Sequence, residues 1–191
     1  MQVIFTLANK ITIVRILSIP FFISVILYYS PQKDYLRFVA LGIFLFATIS
    51  DFIDGYIART RNQRTAVGSL LDPLADKILL ISAFICLYMV GVSFNMIRFP
   101  IWLVVAVISR DVILVVGTMV GFLILKEVKI EPTFLGKATT FFQVICVICV
   151  LLQWSELTWL WNATLALIII TVLDYIVKGV RLLNSSNSAP V

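Results

Sequence analysis

Apolar runs long enough to cross a bilayer recur along nearly the whole of this 191-residue chain, and nothing else limits its folding so strongly. A hydrocarbon layer about 30 Å thick offers no water to backbone amides, so each crossing segment must satisfy its own hydrogen bonds as a helix of about 20 residues. By that measure the sequence divides into six spans, near 12–30, 36–58, 70–92, 99–124, 137–154 and 158–183. The intervening connections are short, so the expected fold is all-α: a polytopic bundle of six transmembrane helices forming one membrane domain over residues 1–184. A mean hydropathy of +1.07 with 13% charged residues excludes an ordinary soluble domain. Met1 to Lys10 is too short to span and reads as an interfacial amphipathic helix, kept in the mature chain because no small-residue cleavage site follows. The polar stretch 185–191 reads as a disordered tail.

Basic residues gather on one side. With six spans both termini share that side, along with Lys10, Arg59, Arg61, Arg64, Lys126, Lys129, Lys137, Lys178 and Arg181, while the opposite connections carry Lys33, Arg37 and Arg98. The positive-inside rule makes the richer side cytoplasmic. The net charge of +5 suits anionic headgroups or phosphorylated substrates. No soluble basic module exists to bind nucleic acid.

Against this apolar background, four carboxylates stand out: Asp51 and Asp54 near the end of the second span, Asp72 and Asp76 at the start of the third. Spacings of three and four residues put each pair on a single helix face. Ionisable groups in such places are costly and mark working sites. Gly55, Ala58 and Gly68 keep space open beside them, and Pro73 reads as a first-turn residue of the third helix. The polar, basic stretch from Arg59 to Gly68 is a short turn that brings the two acidic faces together. Hard oxygen ligands with no histidine select Mg²⁺, Mn²⁺ or Ca²⁺, and two ions clamping a diphosphate would relieve the repulsion, with Arg59 adding a guanidinium contact. Elsewhere, Asp174 with Lys178 one turn later, and Asp111 beside Arg110, fit local charge pairs. Cys146 and Cys149 form a C-x-x-C without a second pair or a histidine, so together with Cys86 they read as packing residues rather than zinc ligands.

The pattern Asp51-x2-Asp54-Gly55-x2-Ala58-Arg59-x8-Gly68-x3-Asp72-x3-Asp76 fixes eight positions in 26 residues and resembles, at each of them, the signature of the CDP-alcohol phosphotransferases. The resemblance implies an enzyme that displaces CMP from a CDP-linked lipid by the hydroxyl of a second alcohol. Asp51, Asp54, Asp72 and Asp76 would then bind two divalent ions, usually Mg²⁺ with Mn²⁺ as an alternative. Gly55, Ala58, Arg59 and Gly68 would line the cytidine diphosphate, and Asp76 would be the general base. An alcohol is a poor nucleophile near neutral pH, so a carboxylate that takes its proton is chemically apt.

The acceptor is read from two further matches. Asn9-Lys-Ile-Thr12-Ile-Val-Arg15-x4-Pro20 and Gly136-Lys137-x2-Thr140-x2-Gln143 are similar to stretches of phosphatidylglycerophosphate synthases. That likeness implies CDP-diacylglycerol and glycerol 3-phosphate as substrates, with Arg110, Lys137 and Arg181 as candidates for the acceptor phosphate. It also implies a homodimer in a bacterial inner membrane with the active site facing the cytoplasm. Ser109-Arg110-Asp111 and Lys129-x2-Pro132-Thr133-Phe134 are also similar to cardiolipin synthases of the same family, which take phosphatidylglycerol. Gly117-x3-Gly121 allows close helix approach, within the bundle or between chains. Two other classes are weighed: a divalent-cation transporter, which calls for acidic groups near mid-membrane and an inverted repeat, and a scaffold protein, which would tolerate loss of Asp76.

Overall fold

The computed structural model describes the backbone of residues 7–60, 66–125 and 134–187, and side chains at 13–50, 77–117 and 134–179. Among the described residues regular structure is entirely helical: α1 (Leu7–Leu27), a single 3-10 turn (Pro31–Lys33), α2 (Tyr35–Thr60), α3 (Ala66–Phe94), α4 (Ile101–Leu125), α5 (Phe134–Leu151) and α6 (Thr158–Asn187). Among the described residues, three helices contain stretches long and apolar enough to cross a membrane, at Lys77–Phe94, Phe134–Leu151 and Thr158–Gly179, and α1 and α2 hold the shorter apolar runs Ile13–Leu27 and Tyr35–Ser50. Large apolar side chains such as Leu17, Phe21, Phe46, Phe141, Trp159 and Leu173 face outward. Water would penalise that surface and lipid does not. The chain is an integral membrane protein.

Three details differ from the sequence reading. Leu7 to Lys10 form the first turn of α1, continuous with it, and residues 1–6 lie outside the described part. The third helix begins at Ala66, so Pro73 sits well inside α3 rather than in its first turn; its missing N–H is tolerable where neighbouring helices and side chains can compensate the backbone. At the other end α6 continues to Asn187, into the stretch expected to be a tail, because no helix breaker intervenes before Pro190.

Contacts divide the chain into two units, Met1–Phe99 with Val147–Trp154, and Pro100–Cys146 with Ser155–Val191. In the first, α1 packs on both α2 and α3. Its buried stripe is Arg15, Ile19, Phe22 and Ile26, alternating four and three residues as a coiled-coil seam does, and Tyr29 just past the helix end is buried as well. Phe22 meets Phe44 of α2 with ring centroids 6.0 Å apart, and Tyr29 meets Phe94 of α3 edge-on at 5.7 Å. A polar clip closes the α1–α2 hairpin: Asp34 accepts from the Tyr29 hydroxyl (3.2 Å) and from Arg37 Nη2 (2.9 Å). Two helices end alike. Asn95 and Gln153 adopt left-handed backbone (φ 51° and 55°), and the next amides, Met96 and Trp154, reach back to Gly91 and Cys149 in Schellman closures. The Gln153 amide then donates to the Ile97 carbonyl and accepts from its N–H, a contact within this unit.

In the second unit α4 packs on α6. A Cβ placed on Gly117 would lie 2.6 Å from Cε1 of Tyr175, so the first glycine of the G-x-x-x-G serves helix approach within the chain. Gly121's surroundings lie outside the described residues. Between α5 and α6, Thr139 bonds Thr171 (2.8 Å) and the Cys146 thiol meets Thr164 (3.3 Å). Cys86 and Cys146 are buried and Cys149 is half-buried, as packing residues should be.

Candidate active site

Helices α2 and α3 carry the acidic pattern. Asp51, Asp54, Gly55, Ala58 and Arg59 occupy the last turns of α2, and Gly68, Asp72 and Asp76 the first turns of α3. Their side chains lie outside the described residues, as does the connection 61–65. The backbone still constrains them. Six Cα steps join Thr60 to Ala66, which keeps the two helix ends within about 20 Å. Asp54 precedes Thr60 by the same six residues by which Asp72 follows Ala66, so each backbone position lies about 9 Å along its helix from that connection. As a donor set, four carboxylates in a chain without histidine suit a hard divalent cation, and the residues present fit one.

A further charged residue of this unit is buried. Arg15 is 1% exposed on the face of α1 that packs on α2 and α3, and its backbone carbonyl accepts from the Ser18 hydroxyl at 2.7 Å. Sequence reasoning quoted it within a motif but gave it no role. The available signal was its place in the four-and-three seam, where the flanking Ile13, Val14, Ile16 and Leu17 all face outward instead.

The acceptor candidates fall in the other unit. Arg110 is buried on α4: Nη1 donates to Asp111 Oδ1 at 2.7 Å and Nη2 to the Gly136 carbonyl at 3.3 Å, while Nε has no partner among the described residues. Asp111 is 2% exposed, so the pair is neutralised inside protein. Lys137 is exposed and directly follows Gly136, whose carbonyl Arg110 reaches. Arg181 lies in the last turns of α6 and its side chain falls outside the described residues. Asp174 is engaged by Lys178 at 2.7 Å, the local pair its spacing suggested. Gln143, two turns beyond Gly136 on α5, is fully buried, and neither end of its amide finds a hydrogen-bond partner among the described residues.

A sequence model of the CDP-alcohol phosphatidyltransferases matches residues 5–176, taking in both units and the whole acidic pattern. The chain belongs to that family. Among its relatives are a probable phosphatidylglycerophosphate synthase of Mycobacterium tuberculosis, 30% identical over 92% of this chain and 82% of that protein, and the CDP-diacylglycerol–glycerol-3-phosphate 3-phosphatidyltransferase of Bacillus subtilis, 36% identical over 78% of each. A CMP-forming cardiolipin synthase of Streptomyces coelicolor is 34% identical over 72% of this chain and 61% of that protein. CDP-alcohol phosphatidyltransferases are phosphotransferases that use divalent metal ions. Membership therefore sets aside the cation transporter and the scaffold, and makes the chain an enzyme.

Proposed function

We propose that this enzyme transfers the phosphatidyl group of CDP-diacylglycerol to glycerol 3-phosphate, releasing CMP and forming phosphatidylglycerophosphate. The observation that carries the reading is the eight-position pattern on two helices joined by a five-residue connection, in a chain similar over most of its length to enzymes named for that reaction. In the transfer, a glycerol hydroxyl oxygen bonds to the lipid-side phosphorus of the diphosphate as the bond from that phosphorus to the CMP oxygen breaks. Asp76 takes the hydroxyl proton, and the electron pair of the broken bond leaves with CMP. Asp51, Asp54, Asp72 and Asp76 hold two divalent ions, Mg²⁺ or Mn²⁺, which when bound supply charge neutralisation at the diphosphate and the departing phosphate. Gly55, Ala58 and Gly68 leave room for the cytidine diphosphate, and Arg59 donates to its anion.

Lys137, Arg110 and Arg181 receive the acceptor phosphate. The enzyme sits as a homodimer in a bacterial inner membrane, with the basic side and the acidic centre facing the cytoplasm. Stoichiometry from size-exclusion chromatography with light scattering checks the dimer, and a monomer would refute it. One observation favours a second acceptor. Arg110 is already neutralised by Asp111, which weakens its pull on a dianion and suits phosphatidylglycerol, the acceptor implied by the likeness to cardiolipin synthases. Purified enzyme offered CDP-diacylglycerol with both acceptors decides between them: labelled phosphatidylglycerophosphate is expected, and labelled cardiolipin would transfer the assignment to phosphatidylglycerol.

A further inference from the structure

We propose that Asp111 is a positioning residue: its carboxylate fixes the guanidinium of Arg110 in the orientation in which it meets the phosphate of the acceptor alcohol. The inference rests on the reading of Arg110 as an acceptor ligand. Every group it uses, on α4 and the first turns of α5, lies in the second unit.

On α4 the inward stripe is apolar at first and then changes character. Leu103, Val104 and Val107 are buried, and Arg110 and Asp111, seven residues after Leu103 and Val104 on the same face, are buried as well. Ser109, Val112 and Ile113 beside them are exposed. Among the described residues no other carboxylate is buried. A buried ion pair is a weak source of stability, since apolar residues of similar volume serve as well or better, so its presence here calls for another reason. An arginine without a task at this depth would extend its stem toward the interface.

The geometry supplies the reason. Neighbouring residues on a helix project about 100° apart and do not ordinarily face each other. Arg110 Nη1 nevertheless donates to Asp111 Oδ1 at 2.7 Å, so the guanidinium is drawn sideways rather than extended straight from the helix. Nη2 donates to the Gly136 carbonyl at 3.3 Å, and that carbonyl is itself engaged by the Thr140 hydroxyl at 3.1 Å. Held at both terminal nitrogens, the planar group is fixed in orientation. Its Nε–H is buried and has no partner among the described residues. An arginine kept only to be neutralised by its neighbour would not leave a buried donor unmet. A phosphate oxygen satisfies such a donor, and a planar fork held in one orientation receives it with directional hydrogen bonds. Because Asp111 offsets the charge, what Arg110 offers the acceptor is direction more than net attraction.

Steady-state CMP release by the purified full chain in detergent tests the role, with CDP-diacylglycerol as donor and whichever of glycerol 3-phosphate and phosphatidylglycerol wild type turns over as acceptor. Asp111→Ala should raise the acceptor KM at least about tenfold and move the CDP-diacylglycerol KM less than about twofold, because a lost contact to one substrate shows in that substrate's KM. A merely structural role would lower kcat and leave both KM values alone. Asp111→Asn keeps an oxygen that accepts from Nη1, so its acceptor KM should stay within about threefold of wild type. On an Arg110→Ala background, Asp111→Ala should raise the acceptor KM no further, since Asp111 acts through Arg110. An unchanged acceptor KM in Asp111→Ala, an asparagine no better than alanine, or an undiminished effect without Arg110 overturns the proposal. Arg110→Ala alone separates the two possible failures: if it leaves the acceptor KM unchanged, the reading of Arg110 falls and the role of Asp111 with it, whereas a raised KM there beside an unchanged one in Asp111→Ala removes only Asp111. Should Asp111→Ala fail to fold, Asp111→Ser carries the test, because its hydroxyl is polar but ends short of Nη1; the same rise in acceptor KM is expected, and its absence overturns the proposal.

Discussion

Replacing Gln143 by leucine should make this protein more stable. The side chain is fully buried in α5, and both the Nε2 donor and the Oε1 acceptor lack partners among the described residues. A buried polar group without a hydrogen bond costs about 1–3 kcal/mol, so the two ends together cost about 2–6 kcal/mol. Leucine fills a similar volume and leaves neither end to satisfy. Taking the lower bound, with about 2–4 °C per kcal/mol for a chain of this size, the melting temperature in detergent should rise by at least about 4 °C. Thermal unfolding followed by tryptophan fluorescence reads the shift, with Gln143→Glu as a control that should melt below wild type because it adds a buried charge. A Gln143→Leu variant that melts below wild type would refute the reasoning, since it would mean that ordered water satisfies the amide in the folded protein.

Other substitutions test other contacts. Gly117→Ala should lower the melting temperature by overpacking against Tyr175, at a cost of about 1–3 kcal/mol, whereas Gly42→Ala on α2, with nothing within 4 Å, should raise stability by up to about 1 kcal/mol; unfolding of the two variants side by side checks the contrast. Asp111→Ala strips Arg110 of its buried partner and should cost about 3–5 kcal/mol in chemical denaturation. Asp76→Asn should abolish CMP release while CDP-diacylglycerol still binds, and a near-normal rate would remove Asp76 from the transfer step. EDTA should stop wild-type CMP release, and added Mg²⁺ should restore it.

Much of the fold could be read from hydropathy because length and apolar character are local properties. Among the described residues six α-helices fall close to the six expected segments, three of them with stretches long and apolar enough to cross a membrane, and the shifts lie at helix starts and ends. Ala66 to Ser69 is such a case: the turn added ahead of the third span lies on the near side of a proline that ordinarily marks a helix start. The acidic pattern was visible for a different reason, since carboxylates amid apolar sequence have few structural uses. Arg15 and Gln143 were harder to place. One charged or polar residue on a helix looks the same whether it faces lipid, solvent or protein, and only the packing of α1 and α5 against their neighbours shows that both are turned inward. The division of α5 between two units was equally hidden, because residues near its end meet partners distant in sequence, as Gln153 does with Ile97, 56 residues away.

The claim on which the rest depends is that α2 and α3 together form one two-ion centre. Electron paramagnetic resonance of Mn²⁺ titrated into the purified protein tests it directly, because two ions held by shared carboxylates are magnetically coupled. Wild type should bind two coupled ions, and Asp51→Asn on α2 or Asp72→Asn on α3 should each abolish the coupling. Uncoupled ions in wild type, or coupling that survives loss of a carboxylate from either helix, would contradict the account.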